Sequence, residues 1–169
     1  MRLILIRHGK AEDPAAFAKT GEDDTQRPLT REGCRLMRKA AKGLARISPK
    51  IDALATSPLR RAVQTAEIIH KANDQKPQFI ELDLLAPGGS PAKLFAWIKS
   101  HDLDRSTVAL VGHEPDLGRW AGYFLNGHEK SFVTFKKGAA CIIDFPSRLA
   151  AAKGVLYALL QPAHLRNLS

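Results

Sequence analysis

The feature that most limits what this chain can fold into is its alternation of short aliphatic runs with longer helical patterns. Leu3-Ile4-Leu5-Ile6 and residues 107–111 are almost purely aliphatic, as strands buried on both faces of a parallel sheet are. Residues 51–56 and 78–82 read as two further strands. Helical stripes lie between them. Thr30 is placed to cap a helix running to about Arg46, with Leu36, Met37, Ala40, Ala41 and Leu44 on its apolar side. Ser57-Pro58 reads as the N-cap and first residue of a helix reaching about Lys71, buried along Leu59, Ala62, Ala66 and Ile69. Ser90-Pro91 opens another that carries Leu94, Trp97 and Ile98, and Pro115 opens one with Leu117, Trp120, Ala121 and Phe124. The last quarter differs: residues 132–135, 139–145 and 155–160 read as strands with no helix between them. This order predicts an α/β fold, a single three-layer α/β/α domain over residues 1–169. Its central sheet is mostly parallel, with antiparallel C-terminal strands.

Composition narrows the function. The chain carries 26 Lys+Arg against 17 Asp+Glu, a formal charge of +9, which suits nucleic acid, an acidic protein or a phosphorylated ligand. The cations are scattered, with Arg31, Arg35, Arg38, Lys39, Lys42 and Arg46 spread along one helix, and no basic–aromatic platform for stacking bases is visible. A nucleic-acid partner is therefore not expected. No apolar run approaches the roughly 20 residues of a membrane span, and the N-terminus lacks a signal-peptide layout, so a cytoplasmic location is expected. Cys34 and Cys141 form no CxxC pair and read as free thiols.

Three strand-to-helix junctions hold the unusual polar residues: Arg7-His8-Gly9, the stretch from Ser57 through Arg60-Arg61-Ala62 to Ala66, and Val111-Gly112-His113-Glu114-Pro115. Each alone is weak, since a lone histidine is more often structural and an Arg-Arg pair in a first turn is usually solvated. If the strands are parallel, right-handed crossovers bring all three to one sheet edge, where α/β folds bind ligands. Two imidazoles and two guanidiniums would then meet where a core has no use for them. Such a cluster suits the capture of an anionic group, phosphate above all, whose oxygens take bidentate guanidinium donors. No metal and no cofactor is called for.

With these motifs in view, the chain resembles the histidine phosphatase (phosphoglycerate mutase-like) superfamily. The resemblance rests on Arg7-His8-Gly9, on the Ser57-x-x-x-Arg61-Ala62-x-x-Thr65 pattern and on Gly112-His113. Arg27-Pro28-Leu29-Thr30, Leu85-Ala86-Pro87-Gly88 and Gln161-Pro162-Ala163-His164-Leu165 look most like the bacterial phosphohistidine phosphatases of SixA type. The resemblance implies that His8 is the nucleophile, that Arg7 and Arg61 hold the phosphoryl group, that His113 is the second pocket histidine, and that Arg27 reaches the pocket. It implies a phosphoprotein substrate, the His-containing domain of a phosphorelay, or else a small phosphoester. A monomer is the default expectation.

Family members often use a glutamate soon after the third strand as general acid. Here Glu81 and Asp83 lie in that region without the family pattern, and Glu12, Asp13 and Asp24 in the first loop are equally open. A weak or absent acid suits a phosphoramidate, whose nitrogen leaves readily, and a short stretch between Pro87 and Lys93 leaves the pocket uncovered. A small-molecule phosphomonoesterase or mutase, or a non-catalytic phosphate-binding module, are the other readings. Cysteine-phosphatase, phosphate-loop and metal-hydrolase spacings are absent.

Overall fold

The computed structural model describes residues 1–169. Six strands, β1 (Arg2–Arg7), β2 (Ala53–Thr56), β3 (Gln78–Glu81), β4 (Thr107–Gly112), β5 (Ala140–Asp144) and β6 (Val155–Leu160), form one sheet in the order β3-β2-β4-β1-β5-β6. The first four are mutually parallel; β5 runs antiparallel to β1, and β6 to β5. Helices α2 (Arg31–Ile47), α3 (Arg60–Ala72) and α6 (Pro162–Asn167) accompany one face, and α4 (Pro91–Ser100) and α5 (Asp116–Asn126) the other. This is the three-layer arrangement that the sequence order predicts, and the phosphoglycerate mutase-like fold that the resemblance implies.

Strand alternation divides the core. Leu3, Leu5, Val108 and Leu110 pack with Leu94, Ile98, Trp120 and Phe124, whereas Ile4, Ile6, Ala109 and Val111 pack with Met37, Leu44, Ala62 and Ile69. Successive side chains of a strand point to opposite faces, so a run apolar throughout belongs to a strand covered twice. Leu3–Ile6 and Val108–Val111 are accordingly almost wholly buried. On α4 the covered residues are Pro91, Leu94, Phe95 and Ile98, and Trp97 sits half-buried beside them.

Helix α2 starts at its expected cap, the Thr30 hydroxyl accepting from Gly33 N at 2.8 Å. Close to its other end, Gly43 lets α6 approach: a Cβ there would overlap the backbone carbonyl oxygen of Leu165. Alanine in place of glycine normally favours a helix interior by about 1 kcal/mol, but a clash with backbone cannot be relieved by a rotamer. Gly43→Ala is expected to destabilise the protein by about 1–3 kcal/mol, as overpacking does, and chemical denaturation of the variant checks this.

Four local readings are corrected. Ser57-Pro58 does not cap α3; the helix begins at Arg60 after Leu59, and Ser57 is wholly buried at the end of β2. Residues 132–135 form no strand, because side chains take their backbone groups: Phe135 N donates to Glu114 Oε1 at 3.1 Å and Phe135 O accepts from Arg7 Nη1 at 2.6 Å. The first loop contains a short helix, α1 (Pro14–Ala18), capped by the Asp13 carboxylate, and a 3-10 turn at Asp24–Gln26. The C-terminal α6 adds a helix after the β-rich tail.

Candidate active site

The register of the sheet decides where the three junctions meet. Arg7 pairs with Gly112 across β1 and β4, and Thr56 pairs with Val111 across β2 and β4. The three strands therefore end level, with β4 between the other two. Backbone bonds extend the alignment past the strand ends, His8 N donating to Gly112 O at 3.1 Å and Ser57 N to Val111 O at 3.0 Å. A cavity of about 280 Å³ opens there, lined by Arg7, His8, Pro14, Arg27, Arg61, Pro87, His113, Glu114 and Lys137. The five residues that the sequence singles out are all in its wall. The five carboxylates weighed as proton donors, Glu12, Asp13, Asp24, Glu81 and Asp83, are not.

His8 is buried, and its Nδ1 lies 2.8 Å from Gly9 O. A carbonyl oxygen only accepts, so the proton resides on Nδ1. Nε2 then holds a lone pair and has no hydrogen-bond partner in the protein. Gly9 is itself fixed, its N–H donating to Thr65 Oγ1 at 3.0 Å while that hydroxyl donates to Arg61 O at 2.7 Å. The second imidazole, His113, is 5.1 Å from His8 between ring centroids, and its Nε2 is 2.9 Å from Ser57 Oγ.

Burial, before any other cause, pushes both histidines down, His8 to about 3 and His113 to about 4. The charges of Arg61 and Arg7 push in the same direction, while the bond to Gly9 partly offsets the shift at His8. Both rings are thus neutral near pH 7 in the free protein. Between the ordinary histidine value and these depressed ones, the unfolded chain binds protons that the folded one refuses. Stability is therefore complete above about pH 6.5 and is lost as pH falls toward 4 and then 3. Melting temperatures recorded between pH 7 and pH 4 are expected to fall, less steeply in His8→Asn, whose amide takes up no proton.

The guanidiniums are held from outside the cavity. Arg7 Nη1 donates to Phe135 O, Arg61 Nη1 to Asp24 O at 3.0 Å, and Arg27 Nη1 to Glu12 O at 2.8 Å. The Asp24 carboxylate bridges two of them, 2.6 Å from Arg27 Nε and 3.2 Å from Arg61 Nη1. The Arg27 bond keeps that carboxyl below the usual range, so Asp24 orients cations and is poorly suited to donate a proton. Meanwhile the Nε atoms of Arg7 and Arg61 are buried with no partner. Donors left unpaired in a folded interior are costly unless a ligand completes them.

Sequence reasoning placed Glu114, Asp116 and Lys137 nowhere in the pocket and took Ser57 only for a helix cap. Glu114 lines the cavity with both oxygens occupied, accepting from Gly118 N at 2.9 Å and from Phe135 N. Asp116 accepts from Gly88 N at 2.7 Å and so fixes the turn that carries Pro87. Ser57 and Glu114 sit inside the quoted motifs, where their spacing held the available signal; Lys137 had none.

The profile of the histidine phosphatase superfamily (branch 1) matches residues 3–86. An uncharacterized protein of Picosynechococcus sp. is 36% identical over 152 residues, covering 84% of this chain and 88% of that protein. The chain belongs to the histidine phosphatase superfamily. Phosphohistidine phosphatase SixA of Escherichia coli is 26% identical over 145 residues, covering 85% of this chain and 86% of its own. The solved structure of protein histidine phosphatase SixA complexed with tungstate shares the fold, with a TM-score of 0.80 at 24% identity, covering 98% and 99% of the two chains. The superfamily's phosphatase chemistry is therefore the frame for the cavity. No helix of the protein is long and apolar enough to cross a membrane.

Proposed function

We propose that the protein is a phosphatase that hydrolyses phosphohistidine on a phosphorelay protein through a phosphoryl-His8 intermediate. The observation that carries this reading is the tautomer of His8: Nδ1 is anchored on Gly9 O, and Nε2 is unprotonated in a wall that also carries three arginines. In the first step the Nε2 lone pair attacks phosphorus. The bond from phosphorus to the leaving nitrogen breaks, and that nitrogen departs with the electron pair, already neutralised by the proton on its imidazole. In the second step water attacks the phosphoryl group on His8, the P–N bond breaks, the water's proton is released, and inorganic phosphate leaves.

Arg7 and Arg61 are the proposed phosphoryl ligands, with their unpartnered Nε atoms turned to use by the substrate oxygens. Arg27 shares Asp24 with Arg61 and lines the same wall. His113 supplies a further polar contact, and a bound phosphate dianion would draw a proton onto it by opposing the depression that burial causes. Charge neutralisation is supplied by guanidiniums, so the step calls on no metal ion. No carboxylic acid aims at the leaving group, since Glu114 has both oxygens occupied and Asp24 is ion-paired. That suits a phosphoramidate better than an alkyl phosphate. The likeness to a SixA solved with tungstate, a tetrahedral oxyanion, supports the same reading.

The test is a comparison of kcat/KM for a phosphohistidine-bearing His-phosphotransfer domain, p-nitrophenyl phosphate and 3-phosphoglycerate. Phosphohistidine is expected to lead by about 100-fold. Preference for 3-phosphoglycerate would make the protein a small-molecule phosphomonoesterase or mutase. Turnover of none of the three would make it a phosphate-binding module.

A further inference from the structure

Lys137 is the one cation of the cavity wall to which neither a carboxylate nor a backbone carbonyl is bonded. Arg7 donates to Phe135 O, Arg27 to Asp24 and Glu12 O, and Arg61 to Asp24, all within hydrogen-bonding distance. Lys137 makes no such contact, although Lys10, elsewhere on the surface, is paired with Glu32. The wall around it offers no aliphatic side chain except the proline rings, so an apolar leaving group would find little to bury against.

The loop that carries Lys137 is fixed at both ends. Gly138, with φ of +85°, donates its N–H to Arg7 O and His8 O, each at 3.1 Å, and Arg7 N donates to Ala139 O at 3.0 Å. On the other side, Lys136 N donates to Gln161 Oε1 at 3.1 Å and Gln161 Nε2 to Thr134 O at 2.7 Å. A positive φ is a conformation that glycine adopts without steric cost, and here it turns the chain directly after Lys137. The lysine is thereby held next to the backbone of the nucleophile strand, while its neighbour Lys136 does not line the cavity.

We infer that Lys137 determines substrate specificity by binding a second anionic group that lies beside the transferred phosphoryl group. The chemistry shared by its ligands is a carboxylate or phosphate close to the phosphorus, either within a small molecule or on an acidic side chain beside a phosphohistidine. This inference rests on the phosphatase reading above and adds the property that selects among phosphorylated ligands.

Two arms test it. In the first, orthophosphate and pyrophosphate inhibit hydrolysis of p-nitrophenyl phosphate, and direct calorimetry measures the binding of both. In the second, phosphohistidine peptides carry Glu or Gln next to the phosphorylated residue. The wild type is expected to favour the doubly anionic ligand about fivefold in at least one arm. Lys137→Met is expected to abolish that preference, Lys137→Arg to retain it, and Lys136→Met to leave it intact. A preference confined to the pyrophosphate arm identifies a small-molecule source, and one confined to the peptide arm identifies an acidic side chain. A preference that survives in Lys137→Met, or no preference in the wild type, overturns the inference. If the wild type hydrolyses nothing yet calorimetry shows pyrophosphate binding that depends on Lys137, the phosphatase reading fails and the inference stands.

Discussion

A His8→Ala variant is expected to lose turnover by a factor on the order of 10⁴ or more, and with it all acid-labile label after incubation with a 32P-phosphorylated substrate. The cavity contains one other imidazole, but His113 spends its Nε2 on Ser57 Oγ, and its ring is neutral near pH 7 for the same reason as that of His8. Only His8 combines a locked tautomer with a ring nitrogen free of protein partners. The variant should still fold, because the alanine removes a buried ring that resists protonation and leaves the Gly9 N–H to Thr65 bond in place. Its melting temperature at pH 7 separates a missing nucleophile from a lost fold. Label that persists in His8→Ala would place the phosphoryl group on another residue. The depressed His8 value sets the sign of the acid limb: an unprotonated nucleophile survives down to about pH 3. The kcat/KM of the wild type should therefore not fall between pH 7 and pH 5 through titration of His8, and the rate profile shows whether it does.

Much of the site was legible because its parts lie at strand ends. An aliphatic run fixes a strand, a following glycine or proline fixes its exit, and parallel pairing places all exits on one edge. From that, Arg7, His8, Arg61 and His113 could be gathered into one place before any coordinate. The cap of α3 was less legible: Ser57-Pro58 has the composition of a helix start, yet His113 and the backbone of Leu59 claim the serine hydroxyl. The segment 132–135 has strand-like residues, but the Glu114 carboxylate and the Arg7 guanidinium reach its backbone first. Such competition between side chain and ladder depends on residues 21 and 128 positions away, and no local pattern records it. The same holds for Asp24. An acidic residue in a polar loop looks solvated until the loop folds back, where its carboxylate meets Arg27 and Arg61. Lys137 is the extreme case, since Lys136 stands directly beside it and only the glycine turn after the pair distinguishes the two.

Arg61→Ala is expected to lower kcat/KM by about 10²–10³, the usual cost of removing one preorganised donor from a developing oxyanion. The side chain enters from the first turn of α3, is 7% exposed, and has its Nη1 occupied by Asp24 while Nε waits without a partner. Its cation is held at a cost: burial lowers its pKa, the Arg27 charge lowers it further, and Asp24 opposes both. A bound phosphate would relieve this arrangement by adding negative charge where two guanidiniums crowd together. Arg61→Lys should therefore recover less than about tenfold of the loss, because an ammonium restores charge without the planar fork that serves Asp24 and a phosphate oxygen together. Arg60→Ala supplies the control: that residue is exposed and borders a separate cleft with Glu67 and Glu81. Its kcat/KM should stay within about twofold of the wild type, as surface charges far from an anion contribute little. Equal losses in Arg60→Ala and Arg61→Ala would mean that the basic first turn acts through its general field. A loss confined to Arg61 ties the effect to a guanidinium whose unpaired nitrogen is buried in the wall beside His8, and not to the charge of its neighbour.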